Sequence, residues 1–214
     1  MPVRQISSRQ IDPHPVLREV VQKHLSSPWR RPISDHTRAA FEDFLAWLGT
    51  TDADLILDSC CGTGESILRL ALENPDCRVL GLDKSAVRIG KSGQLPANAL
   101  VLRADVNDFW RLVDEQQVKL TQHYLLYPNP YPKPAQLTRR WHGSPAFPSL
   151  VALGGKLTVR SNWRVYIEEF AIALEVAGIA SVVSTLNVTN PLTAFERKYS
   201  GAGQQIWQLT AVLG

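Results

Sequence analysis

The chain has 214 residues, of which 44% are hydrophobic and 20% are charged. This composition is typical of a soluble globular protein with a large core, and it excludes an intrinsically disordered chain. No apolar run approaches the roughly 20 residues that span a bilayer, and the first residues lack the apolar stretch of a signal peptide. Three cysteines, two of them adjacent, fit neither a disulfide framework nor a paired Cys-x-x-Cys metal site. We therefore expect a reduced, cytoplasmic protein that contacts neither a membrane nor a metal.

The net charge of +3 conceals an uneven distribution of charge along the chain. Residues 39–115 carry thirteen acids and seven basic residues, whereas residues 116–167 carry no acid and seven basic residues: Lys119, Lys133, Arg139, Arg140, Lys156, Arg160 and Arg164. The second stretch also contains aromatic side chains, among them Tyr127, Tyr131, Trp141 and Trp163. A basic run is often only a solvated face. Cations interleaved with aromatic rings favour a surface that binds nucleic acid, because phosphates need neutralising and bases stack.

Residues 1–50 are predicted to form an N-terminal helical extension, and residues 51–214 the main domain. A short helix is expected over Pro15 to Leu25. A second helix is expected to begin after Ser34, a residue type that caps helix N-termini, and to end at Gly49. Its apolar face would consist of Phe41, Phe44, Leu45 and Leu48.

From Ala53 onward, short apolar strands alternate with segments of helical periodicity. The strands are predicted at Leu55–Asp58, Arg78–Asp83, Ala99–Ala104, His123–Tyr127, Lys156–Arg160, and near 179–186 and 205–211. The helices are predicted up to Leu72, over Lys84–Lys91, near 108–117, and over Phe147–Leu153 and Val165–Ala177. We expect an α/β fold, a Rossmann-like, doubly wound, mostly parallel seven-stranded sheet with helices on both faces. Ligands of such sheets bind beyond the carboxyl ends of the strands.

The carboxyl ends of the first three predicted strands each carry an acid: Asp58 and Asp83 are the last residues of their strands, and Asp105 directly follows the third. One acid at a strand end is common, but three in succession suggest a small ligand with hydroxyl and amino groups across the strand ends. An acid before a glycine turn, a second for ribose hydroxyls and a third for an adenine amino group fit S-adenosylmethionine (SAM). This arrangement resembles class I methyltransferases in general.

The turn after the first strand reads Asp58-Ser-Cys-Cys-Gly-Thr-Gly64. Gly62 and Gly64 would let the backbone approach a ligand, although a tight strand-to-helix turn also explains them. The turn lacks the Gly-x-x-x-x-Gly-Lys-Ser/Thr pattern of a phosphate loop. Asp83 lies about 20 residues beyond the glycines, as in a dinucleotide site. However, Cys60 occupies the place of the first glycine in Gly-x-Gly-x-x-Gly, which favours SAM over a dinucleotide.

The segment after the fourth strand reads Tyr127-Pro-Asn-Pro-Tyr-Pro-Lys-Pro-Ala-Gln-Leu-Thr-Arg-Arg140. It resembles the Phe-Pro-Asp-Pro-Trp-x-Lys…Lys-Arg-Arg motif of the bacterial tRNA (guanine-N7)-methyltransferase family. Arg160-Ser-Asn-Trp-Arg-Val-Tyr166 resembles that family's Thr-Asp-Trp-x-x-Tyr. Pro191-Leu-Thr-Ala-Phe-Glu-Arg-Lys198, followed by Ile206-Trp-Gln-Leu209, resembles its Pro-x-Thr-x-Phe-Glu-x-Arg and Val-Trp-Asp-Leu. The resemblance covers about residues 53–211.

The resemblance implies a SAM-dependent enzyme that methylates N7 of a guanine in tRNA, expected at guanine-46 of the variable loop. It makes residues 51–214 a methyltransferase domain with tRNA as its partner. The expected cofactor-binding residues are Asp58, Cys60, Gly62, Gly64, Asp83, Lys84, Asp105, Val106 and Asn129. Asn129 is also the expected catalytic residue, and the expected RNA-binding residues are Lys133, Arg139, Arg140, Asn162, Thr193, Phe195 and Glu196.

The sequence departs from the family at Asn129 and Asn162, where the family has Asp. Guanine N7 has a free lone pair and no proton, so methyl transfer needs no general base. A carboxylate near the methyl group would offset the positive charge of cofactor and product, whereas Asn keeps one acceptor but has no charge. Two alternatives therefore stay open: a diverged paralogue that methylates another RNA or acceptor, and a catalytically weak tRNA-binding protein with the same fold.

Overall fold

The strands form at the apolar segments that alternate along the chain. The computed structural model describes residues 6–214. Its strands are β1 (Leu55–Ser59), β2 (Arg78–Asp83), β3 (Ala99–Arg103), β4 (Gln122–Leu126), β5 (Gly155–Ser161), β6 (Ser181–Leu186) and β7 (Ile206–Leu213). They pair into a seven-stranded sheet of order β3-β2-β1-β4-β5-β7-β6. The first five strands are parallel, and β7 runs antiparallel to both β5 and β6. The predicted doubly wound, mostly parallel sheet is confirmed.

The helices follow the predicted order, with differences in extent at α4 and α5 and one further helix, α8. They are α1 (Leu17–Leu25), α2 (Asp35–Leu48), α3 (Glu65–Glu73), α4 (Ala86–Ile89), α5 (Val106–Glu115), α6 (Phe147–Ala152), α7 (Arg164–Val176) and α8 (Ala194–Gly201). Helix α4 has only four residues, and the sequence analysis did not predict α8. Helix α5 begins at Val106 because the Asp105 carboxylate caps it by accepting a hydrogen bond from the Asn107 amide at 3.0 Å. None of the helices in residues 6–214 is long and apolar enough to cross a membrane.

The helices of the N-terminal region share the core of the sheet. Leu17 and Val21 of α1 are buried in the same apolar cluster as Phe41 and Phe44 of α2. Both phenylalanine rings pack on Phe109 of α5, with centroids 5.2 and 5.6 Å apart. Burial of each such ring stabilises the fold by about 1.5–3 kcal/mol. These helices are thereby fixed to the face of the sheet that carries α5 and α7.

The sheet topology brings the predicted site residues to one edge. Strands β1 to β4 are parallel, so their carboxyl ends open on the same side. The chain leaves β1 toward β2 on one side, and β4 returns to the other side of β1. Such a reversal of strand order leaves a crevice beyond the strand ends. Asp58, Asp83 and Asp105 all lie at this crevice, as does the loop that follows β4.

Candidate active site

A cavity of about 1080 Å³ occupies the crevice. Its wall consists of the turn after β1, the acids at the strand ends, the loop after β4 and the start of α8. Twelve of the sixteen predicted cofactor-binding and RNA-binding residues line it: Asp58, Cys60, Gly62, Asp83, Lys84, Asp105, Val106, Asn129, Arg139, Asn162, Thr193 and Phe195. Four do not line it: Gly64, Lys133, Arg140 and Glu196.

The turn after β1 is held by backbone hydrogen bonds to β2. The amides of Cys60 and Cys61 both donate to the Leu82 carbonyl, at 2.8 and 2.9 Å. Cys60 has a φ of +77°, a left-handed conformation that costs energy for a residue with a side chain. Gly64, also at +77°, lies behind the cavity wall at the start of α3, where an added Cβ would come 2.8 Å from the Ser92 hydroxyl. The structure shows its role in the turn, and its predicted cofactor contact stays a prediction.

The Asp58 carboxyl is completely buried at the floor of the cavity. One oxygen, Oδ2, accepts a hydrogen bond from the Ser66 hydroxyl. The other, Oδ1, has no hydrogen-bond partner among the described residues. Burial, together with the nearby charge of Asp83, raises the pKa of Asp58 to about 7. The cavity therefore contains a carboxyl that a bound cation would ionise.

The other two acids at the strand ends already have partners. Asp83 accepts hydrogen bonds from the backbone amides of Gly62, at 3.1 Å, and Ser85, at 2.8 Å. It also pairs with Arg88 at 2.8 Å. These contacts fix the carboxylate beside the glycine turn. Oδ1 has two partners, the Ser85 amide and Arg88, whereas Oδ2 accepts from Gly62 alone and keeps a lone pair for a ligand hydroxyl.

Asp105 is held from two sides. Its Oδ1 accepts from the backbone and side-chain amides of Asn107, at 3.0 and 2.9 Å. Its Oδ2 accepts from Arg31 at 3.0 Å. Burial acts to raise the pKa of Asp105, but the hydrogen bonds from Asn107 and Arg31 outweigh it and lower the pKa. Asp105 is therefore ionised and can accept a hydrogen bond from an amino group.

The loop after β4 presents Asn129 between two residues in left-handed conformations. Tyr127 has a φ of +52° and Tyr131 a φ of +43°. The Tyr127 hydroxyl donates to Glu196 at 3.0 Å, and the Tyr131 amide approaches Asn129 Oδ1 at 3.5 Å. Such conformations persist only where surrounding contacts hold them, and they are concentrated at functional sites. Asn129 is exposed on this loop and lines the cavity.

Arg140 holds the same loop from beneath and is completely buried. It pairs with the buried Glu169 and donates to the carbonyls of Tyr131, at 3.1 Å, and Lys133, at 3.3 Å. Burial acts to raise the pKa of Glu169, but hydrogen bonds from His142 and Arg140 hold it well below its usual value. The prediction that Arg140 contacts RNA is wrong, because its guanidinium is enclosed by protein acceptors.

Glu196 is likewise buried and outside the cavity. It forms an ion pair with Arg160 at 3.0 Å and accepts hydrogen bonds from the Tyr127 hydroxyl and the Leu192 amide. The Thr193 hydroxyl accepts from the Glu196 amide and caps α8. The predicted direct contact of Glu196 with RNA is therefore wrong, since this carboxylate fixes α8 and Tyr127.

The remaining predicted RNA-binding residues lie at the mouth of the cavity or beside it. Arg139 is exposed, lines the cavity and places its guanidinium 6.0 Å from the centre of the Tyr131 ring. Lys133 is exposed beside the cavity. Asn162 lines the cavity and donates from Nδ2 to Gln204 at 2.9 Å.

Sequence reasoning missed several residues of the cavity wall, among them two aromatic residues and an arginine. Trp29 and Arg31 reach it from the segment before α2, and Tyr199 from α8. The Trp29 ring lies beneath the guanidinium of Arg31 at 4.7 Å and that of Arg111 at 5.2 Å. The positions of Trp29 and Arg31 depend on how the N-terminal segment folds back onto the sheet, which no local sequence spacing indicates. A metal-binding group of three or more His, Cys, Asp or Glu side chains is not found within residues 6–214.

Comparison with known protein families and relatives gives one consistent result. The model of the family Methyltransf_4, described as "Putative methyltransferase", matches residues 52–209. The tRNA (guanine-N(7)-)-methyltransferase of Aquifex aeolicus is 29% identical over 160 residues, which cover 69% of this chain and 52% of the relative. This chain therefore spans about half the length of that relative. The corresponding proteins of Lysinibacillus sphaericus and Legionella pneumophila are each 26% identical, covering 69% and 79% of this chain and 74% and 81% of the relatives.

Solved structures match the fold at low sequence identity. The 16S rRNA methyltransferase KamB is 20% identical with a TM-score of 0.56, covering 86% of this chain and 95% of that one. A 16S rRNA (adenine(1408)-N(1))-methyltransferase from Catenulisporales acidiphilia, solved with cosubstrate SAM, is 15% identical with a TM-score of 0.57, covering 80% and 90%. The architecture is that of class I SAM-dependent methyltransferases.

Proposed function

Because the chain belongs to the Methyltransf_4 family of methyltransferases, we propose that it transfers the methyl group of SAM to N7 of a guanine in tRNA. We further propose guanine-46 of the variable loop as the target and the cytoplasm as its location. The observation that carries the proposal is the single cavity in which the acids at the strand ends face the Asn129 loop. One part of this wall suits an adenosine with a cationic tail, and the other suits an extruded base.

The residues present fit SAM. Bound SAM supplies a methyl group made electrophilic by its sulfonium. Asp58, buried with one oxygen unpartnered, suits a cationic group of this ligand. Asp83 suits the ribose hydroxyls, because its contacts with Gly62, Ser85 and Arg88 fix the carboxylate beside the glycine turn. Asp105 suits the adenine amino group, because hydrogen bonds from Asn107 and Arg31 lower its pKa at the start of α5.

The acceptor side requires positioning and no proton transfer. Guanine N7 attacks through its lone pair, so the protein must hold it in line with the methyl group, roughly 3–3.5 Å away. Asn129 and Asn162 line the cavity and supply amide donors and acceptors for the edges of the base. Arg139, at the mouth, and Lys133, beside it, suit the phosphates of the RNA backbone.

The test is to incubate the protein with labelled SAM and total tRNA, and then to identify and map the labelled nucleoside. We expect 7-methylguanosine at position 46 of the variable loop. A label in another nucleoside, or in another RNA only, would indicate a paralogue with a different acceptor. SAM binding without any transfer would indicate a tRNA-binding protein that retains the fold. Asp83→Ala serves as the control. A charge-assisted hydrogen bond contributes about 1.5–3 kcal/mol, so its loss should weaken SAM binding by tens of fold.

A further inference from the structure

One wall of the cavity consists of aromatic rings in mutual contact. Phe195 and Tyr199, both on α8, are stacked with centroids 6.1 Å apart and an interplanar angle of 22°. Tyr127, at the end of β4, packs on Tyr199 with centroids 5.6 Å apart. All three line the cavity, together with Asn129 and Asn162. We call these three rings the aromatic wall.

The aromatic wall is not required to hold α8 in place. Phe195 is 48% exposed, so about half of its side chain is not used in packing. Helix α8 is anchored instead by polar groups, namely the Thr193 cap and the buried Glu196 with its ion pair to Arg160. The Tyr127 hydroxyl is bound by the same glutamate, which fixes the orientation of its ring. The exposed ring of Phe195 is thus available to a ligand.

Methyl transfer to N7 moves a positive charge onto the acceptor base. The N7 lone pair forms a bond to the methyl carbon, and the electron pair of the C–S bond leaves with sulfur. Sulfur becomes neutral, and the guanine ring becomes a cation. No proton moves. The protein must therefore stabilise a cation where a neutral base was bound.

No unpaired carboxylate is available for this on the acceptor side of the described cavity. The carboxylates in its wall are Asp58, Glu65, Asp83 and Asp105, which lie in the turn after β1, at the start of α3 and at the strand ends. Three of these four are paired with arginine. The loop after β4 and the segment after β5 contribute the neutral amides of Asn129 and Asn162 instead.

We propose that the aromatic wall binds the face of the acceptor purine and stabilises the 7-methylguanine cation as it forms. The inference rests on the proposed function and specifies how it is carried out. Aromatic faces are electron-rich and attract cations, and bases stack on them without sequence preference. A base can lie on this wall only after leaving its stack in the RNA. The aromatic wall thus compensates for the missing carboxylates at positions 129 and 162.

The test compares a cationic base with a neutral one at the same site. Binding of 7-methylguanosine monophosphate and of guanosine monophosphate is measured by calorimetry, with S-adenosylhomocysteine present. The wild type should bind the methylated nucleotide more tightly, on the order of tenfold. Phe195→Leu keeps an apolar side chain but removes the ring, and should bring the affinity ratio near one. Phe195→Trp should preserve or increase the ratio.

The control variant is Leu72→Ala, which removes an exposed apolar side chain of α3 outside the cavity. It should leave the ratio unchanged. Equal ratios in the wild type and Phe195→Leu, or no preference in the wild type, would overturn the inference. In methyl transfer, Phe195→Leu should lower kcat on the order of tenfold while SAM affinity is unchanged. A wild type that methylates no guanine would refute the proposed function. The nucleotide-binding ratio does not depend on turnover, so it tests the aromatic wall independently of that result.

Discussion

Asp58 is a buried carboxyl whose protonation should depend on the ligand. Burial raises its pKa from 3.8 to about 7, so the folded protein without ligand favours the protonated form. The stability contributed by this proton is present below pH 4 and is lost as the pH rises through 7. A cationic ligand reverses the preference, because it stabilises the carboxylate.

We therefore predict that SAM affinity rises with pH between 6 and 8. Below pH 7 binding must release the Asp58 proton, so affinity should change by up to about tenfold per pH unit, and it should level off above pH 7. Calorimetric titration across this range measures the effect. Asp58→Asn should bind SAM more weakly and without this pH dependence. If the Asn variant keeps the wild-type slope, another group is responsible.

Replacement of Asn129 by Asp should increase the rate of methyl transfer to guanine. The substitution nearly preserves shape and restores a charge beside the forming cation. Charge-assisted hydrogen bonds are about twice as strong as neutral ones, which corresponds to an increase on the order of tenfold. Single-turnover measurement with one tRNA pool tests this, with Asn129→Ala as the control for loss of the side chain. An Asp variant that is inactive on guanine, while the wild type modifies another acceptor, would show that the chain has been retargeted.

The contrast between Arg139 and Arg140 marks the limit of prediction at this scale. The three acids could be placed from sequence because each ends an apolar strand, and strand ends meet at one edge of a parallel sheet. The two arginines are adjacent in a basic run, and charge counting treats them alike. Only the tertiary position of Glu169, on α7, decides that Arg140 is enclosed and Arg139 is not.

Substitutions of these two neighbouring arginines should change different properties: stability for Arg140 and tRNA affinity for Arg139. Arg140→Ala leaves Glu169 buried without its ion-pair partner and should cost about 3–5 kcal/mol of unfolding free energy, measured by urea denaturation. Arg139→Ala should leave stability unchanged. It should reduce the slope of log affinity for tRNA against log salt by roughly one unit for a lost phosphate contact. An unchanged slope would mean that Arg139 is only solvated.

Helix α8 has a recognisable N-terminal signal in the sequence, but the periodicity of apolar residues does not predict it. The spacing Thr193-Ala-Phe-Glu196 is that of a helix N-terminus, with a threonine three residues before a glutamate. The same residues belong to the longer family motif at 191–198, which obscures the start of a helix within it. The Thr193 hydroxyl does cap α8, while the Glu196 side chain turns inward to Arg160. The aromatic wall could not be predicted without this helix, because α8 brings Phe195 and Tyr199 onto one side.

At the scale of the whole molecule, distant parts of the chain meet where the N-terminal segment is hydrogen-bonded to the loop that carries Asn129 and to the side chains beneath it. Gln10 donates to Glu169 at 2.6 Å and accepts from Arg140 at 2.8 Å. The Ser8 hydroxyl donates to the Pro132 carbonyl at 2.5 Å. Residues before the family-matched region 52–209 thus help to shape the candidate site.

We predict that Gln10→Ala lowers kcat and destabilises the fold by about 1.5–3 kcal/mol, because it removes hydrogen bonds to two buried charges. Arg18→Ala is the matched control in the same region. Its ion pair with Glu175 is more than half exposed on both sides and should contribute at most about 1 kcal/mol. Urea denaturation and methyl-transfer rates measure both variants. Equal effects of the two substitutions would contradict a specific role for Gln10.

The Asp105 carboxylate has two roles, because it anchors Arg31 in the segment before α2 and would also bind the ligand. Ligand binding and the anchoring of that segment should therefore affect each other equally. Its Oδ2 is bound by Arg31, which also binds Asp108 at 2.6 Å. Where an adenine amino group takes the lone pair of this oxygen that Arg31 uses, it competes with the guanidinium and leaves Arg31 to Asp108 alone. By thermodynamic linkage, the ligand weakens the contact between Arg31 and Asp105 by a certain factor, and that contact weakens the affinity for the ligand by the same factor. A substitution in the residues that hold Trp29 and Arg31, far from the Asn129 loop, should therefore change the concentration of SAM that half-saturates the cavity.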